Sequence, residues 1–299
     1  MTETNPQICS PENSEQDRPN TWLNQFACNI TSQYGEDGII EKVLEIVPDH
    51  NNWCVEFGSW DGKNCSNTYT LIDKKNYSAI LIEANPKRYK DLLKTFEGNR
   101  KIIPLNEFVG FEKSDCLDRL LEKFEIPEDF DILSVDIDGN DYHVWEAVQD
   151  YKPKVVVIEF NPTIPPNVEF IQPRDPHVTQ GSSLLSITKL GKSKGYELVA
   201  ATTTNAIFVD SKYFDLFGIS DNSPQAMMVD ESFITQIFCG YDGTVFLAGC
   251  QMLPWQTIPY EQSRVQQLPK WARKRVGDRN FIRRKLGRKF RKLRSKGVI

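Results

Sequence analysis

Acidic and glycine residues follow two apolar segments of the sequence in the order expected of a nucleotide-binding site. Residues 53–62, WCVEFGSWDG, begin as an apolar run and close on acids and glycines, which is typical of a buried strand followed by a tight turn. Further along, a second apolar run, 79–82, ends at Glu83. In doubly wound α/β domains, an acid at the tip of the second strand binds the ribose hydroxyls of a nucleotide. The two segments therefore predict a site for a cofactor with a ribose.

The spacing of the glycines distinguishes between cofactors. The pattern is Glu56-x-Gly58-x-x-x-Gly62, which differs from the G-x-G-x-x-G that brings backbone amides up to a pyrophosphate. Carboxylates at Glu56 and Asp61 would repel a pyrophosphate, whereas they would attract the ammonium group of S-adenosylmethionine. A purely structural strand and turn is the alternative. We predict S-adenosylmethionine as the cofactor, and its predicted contacts are Glu56, Gly58, Asp61, Glu83 and Asp136.

The order of apolar runs and amphipathic helices predicts a Rossmann-like α/β fold. Unbroken apolar runs are typical of strands that are buried on both faces of a parallel sheet. Two later strands, 196–200 and 206–209, are so close in sequence that they must pair as an antiparallel hairpin. A parallel sheet closed by an antiparallel hairpin is the layout of class I methyltransferases. A short helix is also expected near 231–238. The five predicted parallel strands are 53–57, 79–83, 101–105, 131–135 and 155–158.

Further acids follow the fourth and fifth predicted strands. Three lie within residues 136–141, and Glu159 ends the fifth strand. Because the carboxyl ends of parallel strands meet at the ligand-binding edge, these oxygen-bearing side chains suit Mg²⁺ or Ca²⁺. An EF-hand is excluded, since its twelfth position would be Ala147, which cannot bind a metal. The alternative is that Asn140 and Asp141 only cap the next helix. The predicted magnesium ligands are Asp136, Asp138, Glu159 and Asn161.

His143 lies next to this acidic segment. An unperturbed imidazole titrates near neutrality, which suits a general base that removes a proton from a hydroxyl group. Asp138 is the competing candidate for the same role. Methyl transfer is an in-line displacement in which the protein mainly positions the two partners. A capping or surface position is the structural alternative for His143.

Five segments together resemble the FkbM-type methyltransferases, and the resemblance covers about residues 30–210. It implies a Rossmann-like S-adenosylmethionine domain and O-methylation of a hydroxyl, often on a sugar or a polyketide. It also implies that Glu56, Gly58 and Glu83 contact the cofactor. In that family the fourth strand commonly ends in Asp-x-Glu-Gly, whereas this chain has Asp136-x-Asp138-Gly. The segments are 32–38 (SQYGEDG), 56–62 (EFGSWDG), 81–83 (LIE), 134–139 (SVDIDG) and 158–162 (IEFNP).

Composition sets the outer limits of the prediction. The 299 residues are 39% hydrophobic and 26% charged, which is typical of soluble globular proteins, and no apolar run is long enough to span a bilayer. Seven cysteines without a C-x-x-C pair indicate reduced thiols and a cytoplasmic location. We expect a disordered leader at 1–20, a methyltransferase-like domain at 21–260 and a basic amphipathic extension at 261–299.

The C-terminal region differs sharply in charge from the rest of the chain. Residues 262–299 contain fifteen Lys or Arg against a single acid, Asp278. A basic amphipathic helix predicts peripheral binding to an anionic membrane surface. Nucleic acid is a less favoured partner because no aromatic RNA-binding motif accompanies the cations, and docking on the acidic body of the chain is the structural alternative. The apolar face of the predicted helix contains Phe281, Ile282, Leu286, Phe290 and Leu293.

Taken together, the sequence predicts an S-adenosylmethionine-dependent O-methyltransferase that acts on a hydroxyl of a glycan or another small molecule. The alternative is a catalytically silent module of the same fold that binds a nucleotide or a sugar. A nicotinamide oxidoreductase is disfavoured by the missing G-x-G-x-x-G and by the hairpin at the end of the sheet.

Overall fold

The computed structural model describes residues 18–275 and the isolated positions 285, 288, 289 and 292. The chain forms two compact units, one that ends at Glu231 and one that begins at Ser232. Almost all of the predicted leader, 1–20, and the apolar face of the predicted C-terminal helix lie outside the described residues.

A seven-stranded sheet with the order β3-β2-β1-β4-β5-β7-β6 forms the centre of the first unit. The first five strands pair in parallel, and β7 pairs antiparallel with both β5 and β6. This confirms the predicted parallel sheet, its closing hairpin and the Rossmann-like class I methyltransferase fold. The strands are β1 (Trp53–Phe57), β2 (Ser78–Ile82), β3 (Ile102–Leu105), β4 (Ile132–Val135), β5 (Val155–Glu159), β6 (Tyr196–Ala201) and β7 (Asn205–Asp210).

Helices of the first unit connect these strands. The α3 helix begins where the sequence predicts, because the Asn85 side chain accepts a hydrogen bond from the Lys87 amide at 2.9 Å and Pro86 occupies the first helical position. The helices are α1 (Glu36–Ile46), α2 (Tyr69–Lys75), α3 (Pro86–Thr95), α4 (Leu117–Leu121), α5 (Asp141–Ala147), α6 (Leu184–Ser193) and α7 (Pro224–Met227).

A buried ion pair lies at the amino-terminal edge of the sheet. Lys154 Nζ is 2.9 Å from Asp131 Oδ1, and both side chains are almost completely buried. The Asp131 carboxylate also accepts hydrogen bonds from the backbone amides of Asn51 and Asn52, at 3.0 and 2.9 Å. The pair therefore fixes the segment before β1 to the starts of β4 and β5. This edge is opposite to the one that carries the predicted site.

The second unit contains two short antiparallel sheets. One pairs β8 (Thr235–Cys239) with β9 (Val245–Gly249), and the other pairs β10 (Met252–Leu253) with β11 (Ile258–Pro259). The prediction of a helix near 231–238 is therefore wrong, because residues 235–238 lie in β8 and residues 231–234 form no helix. Thr, Ile and Phe in β8 fit a pleated strand better than a helix. In the described part of the chain, no helix has both the length and the apolar character needed to cross a bilayer.

Candidate functional site

The turn after β1 closes tightly onto the end of β4. Gly58 has a φ of +74°, and a Cβ atom at this position would lie 1.7 Å from the backbone oxygen of Asp136. Only glycine therefore allows the two strand ends to approach each other. Two residues later, Trp60 has a φ of +47°, which is uncommon for a bulky side chain. Such backbone conformations recur at binding sites, where the surrounding structure maintains them.

Glu83 holds this turn from the tip of β2. Its buried carboxylate accepts a hydrogen bond from the Trp60 amide at Oε2 (2.9 Å) and another from the Asn85 amide at Oε1 (2.6 Å). Each oxygen of an ionised carboxylate can accept two hydrogen bonds, so both oxygens can still accept one more. Glu83 therefore combines a structural contact with free acceptor capacity at the position where a ribose is expected.

Glu56 and Asp61 are used within the segment that joins β1 to α2. The Glu56 carboxylate is buried and accepts hydrogen bonds from Ser66 Oγ (2.6 Å), Thr68 Oγ1 (2.8 Å) and the Asn67 amide (2.8 Å). Burial raises the pKa of Glu56 although these hydrogen bonds oppose the shift. Asp61 accepts the amides of residues 63 and 64 at 3.0 and 2.8 Å. Their role as cofactor contacts stays a prediction.

Three of the four predicted metal ligands come together at this edge. Asp136, Asp138 and Glu159 each place one carboxylate oxygen within 4.8 Å of the others. Burial raises the pKa of Asp136, and the nearby charges of Asp141 and Asp138 raise it further. Burial also raises the pKa of Glu159, and the charge of Asp136 adds to the shift. The crowded carboxyl groups therefore resist ionisation, and no Lys or Arg in the described part of the chain pairs with them.

Asn161, the fourth predicted ligand, serves the loop after β5. Its Oδ1 accepts hydrogen bonds from the amide (2.9 Å) and the hydroxyl (2.7 Å) of Thr163, and its Nδ2 donates to the Gln180 carbonyl at 2.7 Å. The side-chain oxygen of Asn161 is therefore already engaged. A metal role for this residue stays a prediction, and the contacts favour a structural one.

The two residues of the predicted helix cap behave differently. Asp141 accepts the amides of Ile137 (2.8 Å) and Gly139 (2.9 Å), so it folds the loop between β4 and α5. Burial raises the pKa of Asp141 although these hydrogen bonds oppose the shift. Asn140 makes no side-chain cap. Its Nδ2 donates instead to the carbonyls of residues 175 and 178, at 3.2 and 3.1 Å.

His143 lies on α5, and its side chain is buried against the loop that contains Gln172. Its Nε2 lies 2.9 Å from the Gln172 carbonyl, and its ring meets Phe111 and Tyr142 edge to face, with centroids 5.7 and 5.3 Å apart. Nδ1 has no hydrogen bond within residues 18–275 and lies 3.8 Å from Glu146 Oε2. The general-base role of His143 stays a prediction, and its burial favours a packing role. Asp138, the competing base, is exposed at the strand edge.

The start of α1 and the hairpin bring further polar groups to the same edge. Glu36 is completely buried and accepts hydrogen bonds from Thr202 Oγ1 (2.6 Å) and Asn205 Nδ2 (3.2 Å). Asn205 opens β7 directly opposite Glu159 in the sheet register. Partial burial and the charge of Glu36 raise the pKa of Tyr34. Asn205 was missed from the sequence, where its only signal is its place after the hairpin turn.

Comparison with protein-family models gives no match, and comparison with curated proteins also gives none. Solved structures do match. They include the CurJ carbon methyltransferase (TM-score 0.39, 13% identity, 58% of this chain and 52% of that chain). The N-terminal domain of EvdMO1 with SAH and D-fucose gives a TM-score of 0.38 at 9% identity, over 58% of this chain and 82% of that chain. The mitomycin 7-O-methyltransferase MmcR gives a TM-score of 0.33 at 13% identity, over 57% of this chain and 52% of that chain. The matched region thus spans about half of the CurJ and MmcR chains.

Proposed function

We propose that this chain is an S-adenosylmethionine-dependent methyltransferase that methylates a hydroxyl group. The cofactor supplies a methyl group that is already activated for transfer. The observation that carries the proposal is the contact between Glu83 and the Trp60 amide, which places an acid with free acceptor capacity beside the glycine turn. The class I methyltransferase strand order of the sheet supports the same function.

The donor set at this edge fits S-adenosylmethionine better than a pyrophosphate cofactor. Glu83 would accept hydrogen bonds from the ribose hydroxyls, since each of its oxygens has one acceptor position left. Glu36, Asp136 and Glu159 bring carboxyl groups from α1, β4 and β5 to this edge, and a ligand with an ammonium group would favour their ionised forms. The same carboxylates would repel the phosphates of NAD.

An exposed carboxylate at the carboxyl-terminal edge of the sheet is the best candidate for removing the proton of the acceptor hydroxyl. Asp138 is exposed, and its carboxylate makes no hydrogen bond or ion pair in the described part of the chain. It would accept the proton that the acceptor hydroxyl loses. His143 is less suited, because it is buried and its Nε2 is bound to the Gln172 carbonyl.

The acceptor we propose is a hydroxyl of a sugar or another small molecule. Its support is the resemblance of the five segments to FkbM-type methyltransferases, which extends over the strands that carry Glu83, Asp136 and Glu159. The alternative, a catalytically silent module of the same fold, would bind a nucleotide or a sugar in this pocket and would transfer no methyl group.

Thermal unfolding with candidate ligands tests the cofactor. A ligand at a hundred times its Kd stabilises the folded state by about 2.7 kcal/mol. We expect S-adenosylmethionine and S-adenosylhomocysteine to raise the midpoint, and NADH and ATP to leave it unchanged. Incubation with methyl-labelled S-adenosylmethionine and a panel of sugars then tests transfer. Stabilisation by NADH or ATP alone would contradict the methyltransferase proposal and favour a silent nucleotide-binding module.

A further inference from the structure

We propose that Asp136, Asp138 and Glu159 bind one hard divalent cation, Mg²⁺ or Ca²⁺, together with the side-chain oxygen of Asn205. Carboxylate and amide oxygens are the ligands that both ions prefer. Three of the four residues are acids that were predicted as ligands from the sequence, whereas Asn205 replaces Asn161 as the amide ligand.

The three acids differ from two nearby buried acids, Glu56 and Asp141, in the number of hydrogen bonds that their carboxylates accept. Their carboxylates make no hydrogen bond and no ion pair with any residue that the structure describes. Glu56, by contrast, accepts three hydrogen bonds, and Asp141 accepts two. Close carboxylates repel one another strongly when they are partly buried, and a bound cation relieves that repulsion.

Asn205 gives the independent observation. It pairs directly with Glu159 in the antiparallel register of β5 and β7, so both side chains leave the sheet on the same face. Asn205 is 4% exposed, and its Oδ1 has no hydrogen-bond partner among the described residues. Its Nδ2 donates to Glu36, whose charge contributes to the field at Asp136. A buried amide oxygen without a partner is costly unless a ligand satisfies it.

The spacing of the three acids is compatible with a single ion, and its upper limit lies within the range for Ca²⁺. One carboxylate oxygen from each acid lies within 4.8 Å of the others. Two oxygens on opposite sides of one ion are about 4.6–5.2 Å apart for Ca²⁺ and about 4.0–4.2 Å apart for Mg²⁺. Water molecules would complete either coordination shell, because Mg²⁺ keeps several of its waters and Ca²⁺ takes six to eight ligands.

The role of the ion rests on the proposed function, whereas its binding does not. A dication at this edge would polarise an acceptor hydroxyl and make its proton easier to remove. Asp138 could then serve as a ligand and would not need to act as the base. Metal binding can be measured without cofactor or acceptor, so failure of the cation site and failure of methyl transfer are distinguishable.

The test is calorimetric titration of the full chain with MgCl₂ and, separately, with CaCl₂, after removal of metals with EDTA. The informative variants are Asp138→Asn, Glu159→Gln and Asn205→Ala. Asn tolerates the φ of +58° at position 138, and Thr202 still binds Glu36 when Asn205 is replaced. Asp91→Asn is the matched control, since it makes the same chemical change on an exposed face of α3. Circular dichroism establishes that each variant is folded.

We expect one ion per wild-type chain and an affinity at least about tenfold lower in each of the three variants. Asp91→Asn and Asn161→Ala should bind like the wild type. The stronger of the two titrations identifies the ion. Absence of saturable binding to the folded wild type would overturn the proposal, and so would equal affinity of wild type and Asp138→Asn. Binding that is lost in Asn161→Ala but kept in Asn205→Ala would overturn the assignment of the amide ligand.

Discussion

The backbone amide of Trp60 donates a hydrogen bond to the carboxylate of Glu83 across 2.9 Å. This bond joins the glycine turn after β1 to the tip of β2, so the two segments that predict a cofactor site in the sequence are held together in the fold. A second bond, from the Asn85 amide at 2.6 Å, ties the same carboxylate to the start of α3. Glu83 therefore fixes the shape of the turn and still offers acceptor positions to a ligand.

Gly58→Ala should destabilise the first unit strongly. The added Cβ would lie 1.7 Å from the Asp136 carbonyl oxygen, and the φ of +74° disfavours alanine. We expect the free energy of unfolding, measured by urea denaturation, to fall by at least about 3 kcal/mol.

Gly98→Ala is the matched control for this variant. Gly98 has a similar φ of +80°, but a Cβ at this position would meet nothing within 4 Å. We expect Gly98→Ala to lower the free energy of unfolding by only about 1–2 kcal/mol, the cost of placing alanine in a left-handed conformation. Similar losses in the two variants would show that close packing of β1 on β4 is not the reason for the glycine.

Asp37 should make the free energy of unfolding depend on pH in the acidic range. Burial disfavours its charged form, but hydrogen bonds from Ser32, Thr70, Thr31 and Ile30 outweigh this effect and lower the pKa. Because the folded pKa lies below the unfolded one, the stabilisation is complete well above about pH 4 and is lost as the pH falls through the folded value.

Asp37→Asn removes this contribution. At neutral pH we expect the variant to lose about 1–3 kcal/mol of unfolding free energy, since several donors lose a charged acceptor. The difference between wild type and variant should shrink as the pH falls from about 7 to about 3. A difference that stays constant over this range would mean that the charge of Asp37 does not contribute.

Lys154→Met should expose the cost of an unpaired buried charge. Lys154 Nζ is 2.9 Å from Asp131 Oδ1, and neither side chain reaches solvent. Removing one partner of such a pair typically costs about 3–5 kcal/mol. The double variant with Asp131→Asn should be more stable than the sum of the single losses implies, because no buried charge is left unpaired. Additive losses in urea denaturation would contradict this coupling.

Most of the sheet was predictable because its central strands are buried on both faces. Such strands appear in the sequence as unbroken apolar runs, and the hairpin follows from the short distance between its strands. The start of α3 was also predictable, because it depends only on the adjacent residues Asn85 and Pro86. The β8 strand was missed because five residues with mixed polarity give no clear period, and its pairing with β9 supplies the stability that the local pattern does not indicate.

The candidate site was predictable only in part. Residues at the carboxyl ends of parallel strands must meet, so the sequence brings Asp136, Asp138 and Glu159 together. The antiparallel β7 adds Asn205 from a distant segment, and its register opposite Glu159 depends on the packed sheet. Asn161 lies closer to Glu159 in sequence than Asn205 does, but its side-chain oxygen accepts a hydrogen bond from the Thr163 amide. The spacing of residues in the sequence cannot show that this oxygen is already engaged.

The basic C-terminal region gives a prediction that depends on charge. Residues 262–299 carry fifteen Lys or Arg and one acid, so we expect the full chain to float with vesicles that contain phosphatidylserine but not with neutral vesicles. Deletion of these residues should abolish flotation, and raising the salt concentration should weaken it. Equal flotation of the full and truncated chains would remove the membrane hypothesis.

Calorimetric titration with S-adenosylhomocysteine, carried out on the wild type and on Glu83→Ala, tests the central claim most directly. NADH is the control ligand, and circular dichroism establishes that both proteins are folded. We expect wild-type binding on the order of micromolar, and an affinity at least about tenfold weaker in the variant, which corresponds to about 1.4 kcal/mol. Absence of S-adenosylhomocysteine binding to the folded wild type would contradict the methyltransferase function.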